Sequence, residues 1–191
     1  MKKQAITLGR IGILLPIAAV IPLLNLVAGL AALVLLLMSL HYFSKAYENP
    51  PIFKKALIGF LVPIIANIIG AIIIAIGAGS AFVTMSSGGG FDPENAQQMV
   101  TALFESGITI VGGLLILAGG IIGSYYIFQS LRALAESSGV KHFKTAGLLY
   151  FIGSIGIILL GLGFIVSFVG WIFHIVAYFS IQAEELIAEQ A

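Results

Sequence analysis

His174, Asn67 and Ser154 are the side chains from which chemistry inside this chain would have to be built, a thin set of polar groups near the middle of long apolar stretches. An imidazole can act as a base or a metal ligand, and an amide and a hydroxyl can orient a small polar solute. All three could share one layer at mid-depth. Each also has a plainer use, because an unpaired amide or imidazole in hydrocarbon is costly and tends to face other helices and tie them together. Metal binding at His174 has little to draw on, since His41 and His142 lie at other depths. Trp171 and Tyr178 flank His174 at i−3 and i+4 on one helix face, as an aromatic lining or as ordinary packing.

The remaining inventory excludes more than it offers. The chain has no Cys, which removes disulfides, thiolate metal sites and a cysteine nucleophile. No Asp, Glu, Lys or Arg falls within any proposed membrane core, against proton relays, ion-coupled transport and voltage sensing. An intramembrane serine or aspartyl protease would need a base or a paired carboxylate beside its nucleophile, and His174 is the lone buried titratable candidate. No enzyme, metal or cofactor is therefore expected. A net charge of +1, from nine Lys+Arg and eight Asp+Glu, does not mark a nucleic-acid binder or a polybasic surface protein.

The elements that position these residues must be transmembrane helices. The chain of 191 residues is 60% hydrophobic and 9% charged, where soluble domains carry roughly a quarter charged residues. Ile11 to Tyr42 is a stretch of 32 residues without a charge, about 48 Å as one helix against a hydrocarbon core of ~30 Å. Pro22 and Asn25 supply a break that folds it into a hairpin. Ala146 to Ile181, 36 uncharged residues, folds likewise at Gly161-Leu162-Gly163. The start, Met1-Lys2-Lys3-Gln4, imitates a signal peptide, but the apolar run outlasts any such segment and is expected to be a retained first span.

The expectation is an all-α integral membrane protein with six transmembrane helices, over about 8–21, 26–43, 56–78, 107–128, 146–160 and 164–181, in a single domain. The external loop is 79–106 and the cytoplasmic loops are 44–55 and 129–145. The alternative is four long spans. Charge discriminates, because Lys and Arg collect on the cytoplasmic side. With six spans and cytoplasmic N- and C-termini, Lys2, Lys3, Arg10, Lys45, Lys54, Lys55, Arg132, Lys141 and Lys144 all lie inside. The first span is short, so it starts near Leu8 with Arg10 reaching back to the interface, or is re-entrant. In the external loop, Asp92-Pro93-Glu94 has the pattern of a helix start after a Ser87-to-Gly90 tether. As a calcium site its two carboxylates fall far short of the six to eight oxygens needed. The fourth helix is expected to extend into the cytoplasm and stop at Ser137-Ser138-Gly139.

Small residues give the clearest packing signal. Gly112, Gly119 and Gly123 form one stripe of the fourth span, with Gly113, Gly120 and Ser124 beside it, so this helix is expected to be central or to form a dimer face. Replacing Gly120 by Leu is expected to collapse expression or assembly. Two further patterns point to a parallel repeat of two-helix hairpins. Tyr42-Phe43-Ser44 with Glu48 matches Tyr178-Phe179-Ser180 with Glu184, and Phe53-Lys54-Lys55-Ala56 resembles Phe143-Lys144-Thr145-Ala146. Aromatics and Lys also gather at membrane boundaries for their own reasons.

Tyr42 to Tyr47 followed by Ile52 to Ala56, and Gly147 to Ser180 with Gly153, Gly161, Gly163 and Gly170-Trp171, resemble the prokaryotic membrane-protein family catalogued as domain-of-unknown-function family nine-nine-six. The resemblance covers nearly the whole chain. It implies a small multispan bacterial or archaeal membrane protein without an assigned activity, and it carries no functional residue over. The expected function is non-enzymatic association in the prokaryotic cytoplasmic membrane, with the chain itself, a larger membrane complex or lipid of the bilayer. A channel or facilitator for a small neutral or polar solute is the alternative. No nucleic-acid partner is expected.

Overall fold

The computed structural model describes residues 1–18, 25–86, 107–157 and 161–188, and every regular element among them is a helix. In chain order these are α1 (Lys2–Ala18), α2 (Asn25–Ala46), α3 (Pro50–Ser86), α4 (Gly107–Ser138), α5 (His142–Gly156) and α6 (Leu162–Ala188). Each terminal apolar run thus holds two helices, α1 and α2 in the first and α5 and α6 in the second. Four segments are long and apolar enough to cross a membrane: Val27–Ala46, Pro50–Gly77, Gly107–Ser138 and Leu162–Ile181. At 17 and 15 residues, α1 and α5 are shorter than those four.

Local chemistry sets the helix ends. α2 stops at a left-handed residue, Glu48 at φ 50°, where Asn49 N–H donates to the Ser44 carbonyl at 3.0 Å and Glu48 N–H to that of Lys45 at 3.4 Å. This is a Schellman closure. Pro50 and Pro51 then open α3, where their missing N–H groups lose no helical bond. α4 runs on past the apolar stretch and ends at Ser138, because Gly139 at φ 78° turns its N–H to the Ala135 carbonyl at 3.0 Å. Gly161, at φ 79°, turns the chain into α6. α3 extends to Ser86 and takes in the first part of the expected external loop. The 19–24 break with Pro22, the Ser87-to-Gly90 tether and the Asp92-Pro93-Glu94 helix start lie outside the described residues.

The chain forms two compact units, Met1–Phe60 with Gly123–Ala191, and Leu61–Ile122. In the first, α1 packs on α2 and on α6, and α5 packs on α6. Its core gathers at the ends of the helices that adjoin the 44–55 and 129–145 loops: Phe43, Ile52, Leu131, Leu134, Val140, Phe143, Tyr178 and Ile181 are almost fully buried. Three side-chain bonds strap the start of α3 to the end of α4, from Ser130 Oγ to the Ile52 carbonyl (2.6 Å), Lys55 Nζ to Gln129 Oε1 (3.2 Å) and Asn49 Nδ2 to Ser137 Oγ (2.9 Å). In the second unit, the later part of α3 and the earlier part of α4 run antiparallel, with Gly70 against Gly112 and Ala66 against Gly119. Ile64, Ile65, Ile68, Ile69, Ile72 and Ile76 of α3 are all exposed. A contiguous apolar face of that kind is stable against lipid and not against water.

Candidate functional site

The glycines that carry the sequence motif of the last hairpin are contact points between backbones. A Cβ on Gly163 would collide with the carbonyl of Gly153 and the amide of Ile157, and one on Gly170 would lie 3.0 Å from Leu149 Cβ. α5 and α6 therefore touch along their main chains, and this close approach fixes how Tyr150 and Ser154 of α5 meet their neighbours. Gly9 does the same for α1, lying directly against the Tyr178 ring of α6.

Around these contacts the first unit holds a buried polar and aromatic cluster. Ser39 Oγ donates to the Ala5 carbonyl at 2.7 Å, which uses its one proton, so the Tyr178 hydroxyl 3.1 Å away is the donor to Ser39. The chain of donors, Tyr178 to Ser39 to Ala5, joins α6, α2 and α1. His174 stacks on Tyr178 with ring centroids 5.2 Å apart, meets Phe143 edge-on at 5.9 Å, and has Nδ1 3.3 Å from the Tyr150 hydroxyl. His174 Nε2 is buried without a hydrogen-bond partner. Two more donors of this unit close on α1 and α6: Trp171 Nε1 reaches the Ile13 carbonyl at 3.0 Å, and Arg10 Nε reaches that of Tyr178 at 3.1 Å, its guanidinium 4.5 Å over the Phe179 ring. Arg10 thus ties α1 to α6.

The sequence-selected residues divide accordingly. Ser154 bonds to Ser124 of α4 and donates to the Phe151 carbonyl at 2.7 Å, while His174 pairs with Tyr150, so neither hydrogen-bonds to the other. Asn67 belongs to the second unit and is exposed; its amide donates to the Pro63 carbonyl of its own helix at 2.8 Å, in place of the expected partner on another helix. A side-chain amide satisfies itself this way wherever the carbonyl one turn back is in reach. Among the described residues, no three His, Asp or Glu side chains converge in a way that could hold a metal ion.

The expected glycine stripe also separates into two faces. Gly112 and Gly119 are close-packed against Gly70 and Ala66 in the second unit, and Gly123 is buried in the first. A Cβ on Gly113 or Gly120 meets nothing within 4 Å. Gly120 therefore has no close neighbour among the described residues, so the expected effect of a Leu there falls on assembly, and the close-packed positions within α4 are Gly112 and Gly119. The repeated triplets differ too: Phe43 is the fully buried member in α2, whereas in α6 it is Tyr178, with Phe179 47% exposed. Sequence reasoning missed Ser39, Tyr150 and the role of Arg10. Ser39 had a signal, as the polar interruption of Val34 to Leu40, and Tyr150 had one in standing four residues before Ser154.

Helical in every regular element of its described residues, with four helices among them long and apolar enough to span a bilayer, the fold is that of a helical membrane protein. The family model described as "Protein of unknown function (DUF996)" matches residues 28–172, and the chain belongs to that family. It is also 34% identical over 183 residues, 94% of its own length and 92% of the relative's, to the uncharacterized protein MJ1644 of Methanocaldococcus jannaschii. No solved structure matches.

Proposed function

We propose that the protein is a non-enzymatic, six-span component of the prokaryotic cytoplasmic membrane whose work is association, with itself, with a larger membrane complex or with lipid. The observation that carries this reading is the use of polar groups within the first unit: Ser39 with Tyr178, Ser124 with Ser154, Ser130 with Ile52, Tyr150 with His174 and Trp171 with Ile13 each join two different helices. Groups engaged in holding helices together are not available to escort a solute, and the wide apolar exterior is left as the working surface. α1 and α5 would be ~26 and ~23 Å long against a ~30 Å core, a mismatch that local thinning absorbs at modest cost. Both termini face the cytoplasm in this reading, and the hairpins α1–α2 and α5–α6 run in parallel as a repeat.

A facilitator for a small neutral or polar solute is the second reading, favoured by one observation, the unpartnered Nε2 of buried His174. The absence of native cysteine allows a direct test. Cys introduced singly at Asn67, Ser154 and His174 is exposed to a membrane-impermeant thiol reagent in intact cells, with a Cys in the 86–95 segment as the labelled control. Protection at Ser154 and His174, with a partner captured by gentle crosslinking, supports association. Labelling at both sites supports the facilitator, and monomers without any captured partner or retained lipid refute the association reading.

A further inference from the structure

The end of α2 and the start of α3 leave an open recess of about 330 Å³ lined by Val34, Leu37, Met38, His41, Tyr42 and Phe53. Its α2 wall runs from Val34 to Tyr42, about 12 Å of helix axis. That is most of the ~15 Å that one leaflet contributes to a ~30 Å core. A trough so long and so apolar suits an acyl chain lying along a helix and does not suit a polar solute.

Its mouth has the opposite character. His41 meets Phe53 edge-on with centroids 4.7 Å apart and makes no hydrogen bond among the described residues. Lys45 stands one turn further along α2 on the side of His41, and Lys54 follows Phe53 directly; both are exposed and neither pairs with a carboxylate among the described residues. Glu48 is the single acid of this turn, set against Lys45, Lys54 and Lys55, of which Lys55 is held by Gln129. In the proposed topology this end faces the cytoplasm, the leaflet surface where anionic lipid accumulates.

We propose that this recess seats one acyl chain of an anionic phospholipid, whose phosphate is held at the mouth by His41, Lys45 and Lys54. The inference deepens the association reading and rests on it. A zwitterionic lipid offers the same chain, but its headgroup cation offsets the attraction to the lysines, so the seat distinguishes headgroups by charge.

The full chain, purified in detergent, is incubated with equal amounts of dioleoyl phosphatidylglycerol and dioleoyl phosphatidylcholine, and retained lipid is read by native mass spectrometry. One phosphatidylglycerol is expected to be retained in preference. Lys45→Gln and Lys54→Gln should each lower the ratio of the two lipids up to about five-fold, as expected of one basic side chain at an anionic surface. Met38→Trp, which fills the trough, should remove both lipids while the melting temperature is held. An unchanged ratio in both lysine variants overturns the seat, as does full retention in a stably folded Met38→Trp. A concentration-dependent dimer that Met38→Trp abolishes makes a second copy the occupant and overturns the lipid. A wild-type chain that crosslinks to a partner yet shows no headgroup preference loses this seat and keeps the association reading.

Discussion

Gly9→Val should lower the melting temperature in detergent by about 5–15 °C, and each part of that figure traces to the contact between α1 and α6. Gly9 lies against the Tyr178 ring, which has no exposed surface and is hemmed by Phe43, Phe143 and His174 at centroid distances of 6.2, 5.2 and 5.2 Å. The ring cannot slide, so α1 must back away. Overpacking of this kind costs about 1–3 kcal/mol. Retreat of α1 also stretches two bonds across the same contact, Arg10 to the Tyr178 carbonyl and Trp171 to that of Ile13, a weakening worth about 1 kcal/mol for the pair. The gain in helix propensity from Gly to Val returns only about 0.3 kcal/mol. A net loss of about 2–4 kcal/mol then converts at roughly 2–4 °C per kcal/mol for a chain of this size. Gly29→Ala is the control: a Cβ there meets nothing within 4 Å, so the same melt should be unchanged or raised by a few degrees through a propensity gain of about 1 kcal/mol. Intrinsic fluorescence of Trp171, the sole tryptophan, follows both melts at the contact itself. Gly9→Val melting within about 2 °C of wild type would refute the reasoning.

Ser39→Ala should destabilise more than Tyr178→Phe, by about 1–3 against about 0.5–1.5 kcal/mol, because it leaves the buried Tyr178 hydroxyl without an acceptor whereas Tyr178→Phe leaves Ser39 still bonded to Ala5. The same thermal melt checks the order, and equal losses would undo the donor directions assigned here. Gly119→Leu should abolish a monodisperse size-exclusion peak, while Gly120→Leu should leave the monomer's melt intact and act only on self-association. The opposite ranking would mean that the open face of α4 is buried within the chain. Alkaline phosphatase fused at Gly89 should be active and green fluorescent protein fused after Ala191 fluorescent; an active phosphatase at the C-terminus would exclude six spans.

Composition and charge made the membrane class legible, and the two hairpins could be found from length arithmetic alone, since 32 and 36 uncharged residues exceed what one span can bury. Gly161 and Gly139 were legible as chain reversals because a left-handed residue after a helix selects glycine. Glu48 was not, since its left-handed conformation comes from the closure of α2 and no residue type announces it. Helix α3 overran its expected end because helical hydrogen bonding continues wherever neither proline nor a left-handed residue interrupts it, and hydropathy marks the bilayer only. For the polar residues, sequence position did not reveal which face of the helix each one takes. Depth follows from residue number, whereas the partner depends on the face presented, so Asn67 could be placed at mid-span and still turn out exposed.

The distribution of burial connects these points to function. In the first unit the largest buried side chains sit beside the loops that carry Lys45, Lys54, Lys55, Lys141 and Lys144, while Ile58 to Ile76 of α3 and Ile108 to Leu114 of α4 expose many of their apolar side chains. In a bilayer, helix contacts gain little from apolar burial because lipid tails are equally apolar, so stability must come from close approach and hydrogen bonds. Those are the terms found at Gly9 on Tyr178, Gly153 on Gly163 and Ser39 between Tyr178 and Ala5. In the first unit the buried core beside these loops holds that end of its helices together, with the exposed Lys45, Lys54, Lys141 and Lys144 around it. The apolar flanks are then free to differ in what they touch. Substitutions on the exposed isoleucine face should therefore alter association or lipid preference without altering the melt, and substitutions in the Ser39–Tyr178 cluster should do the reverse.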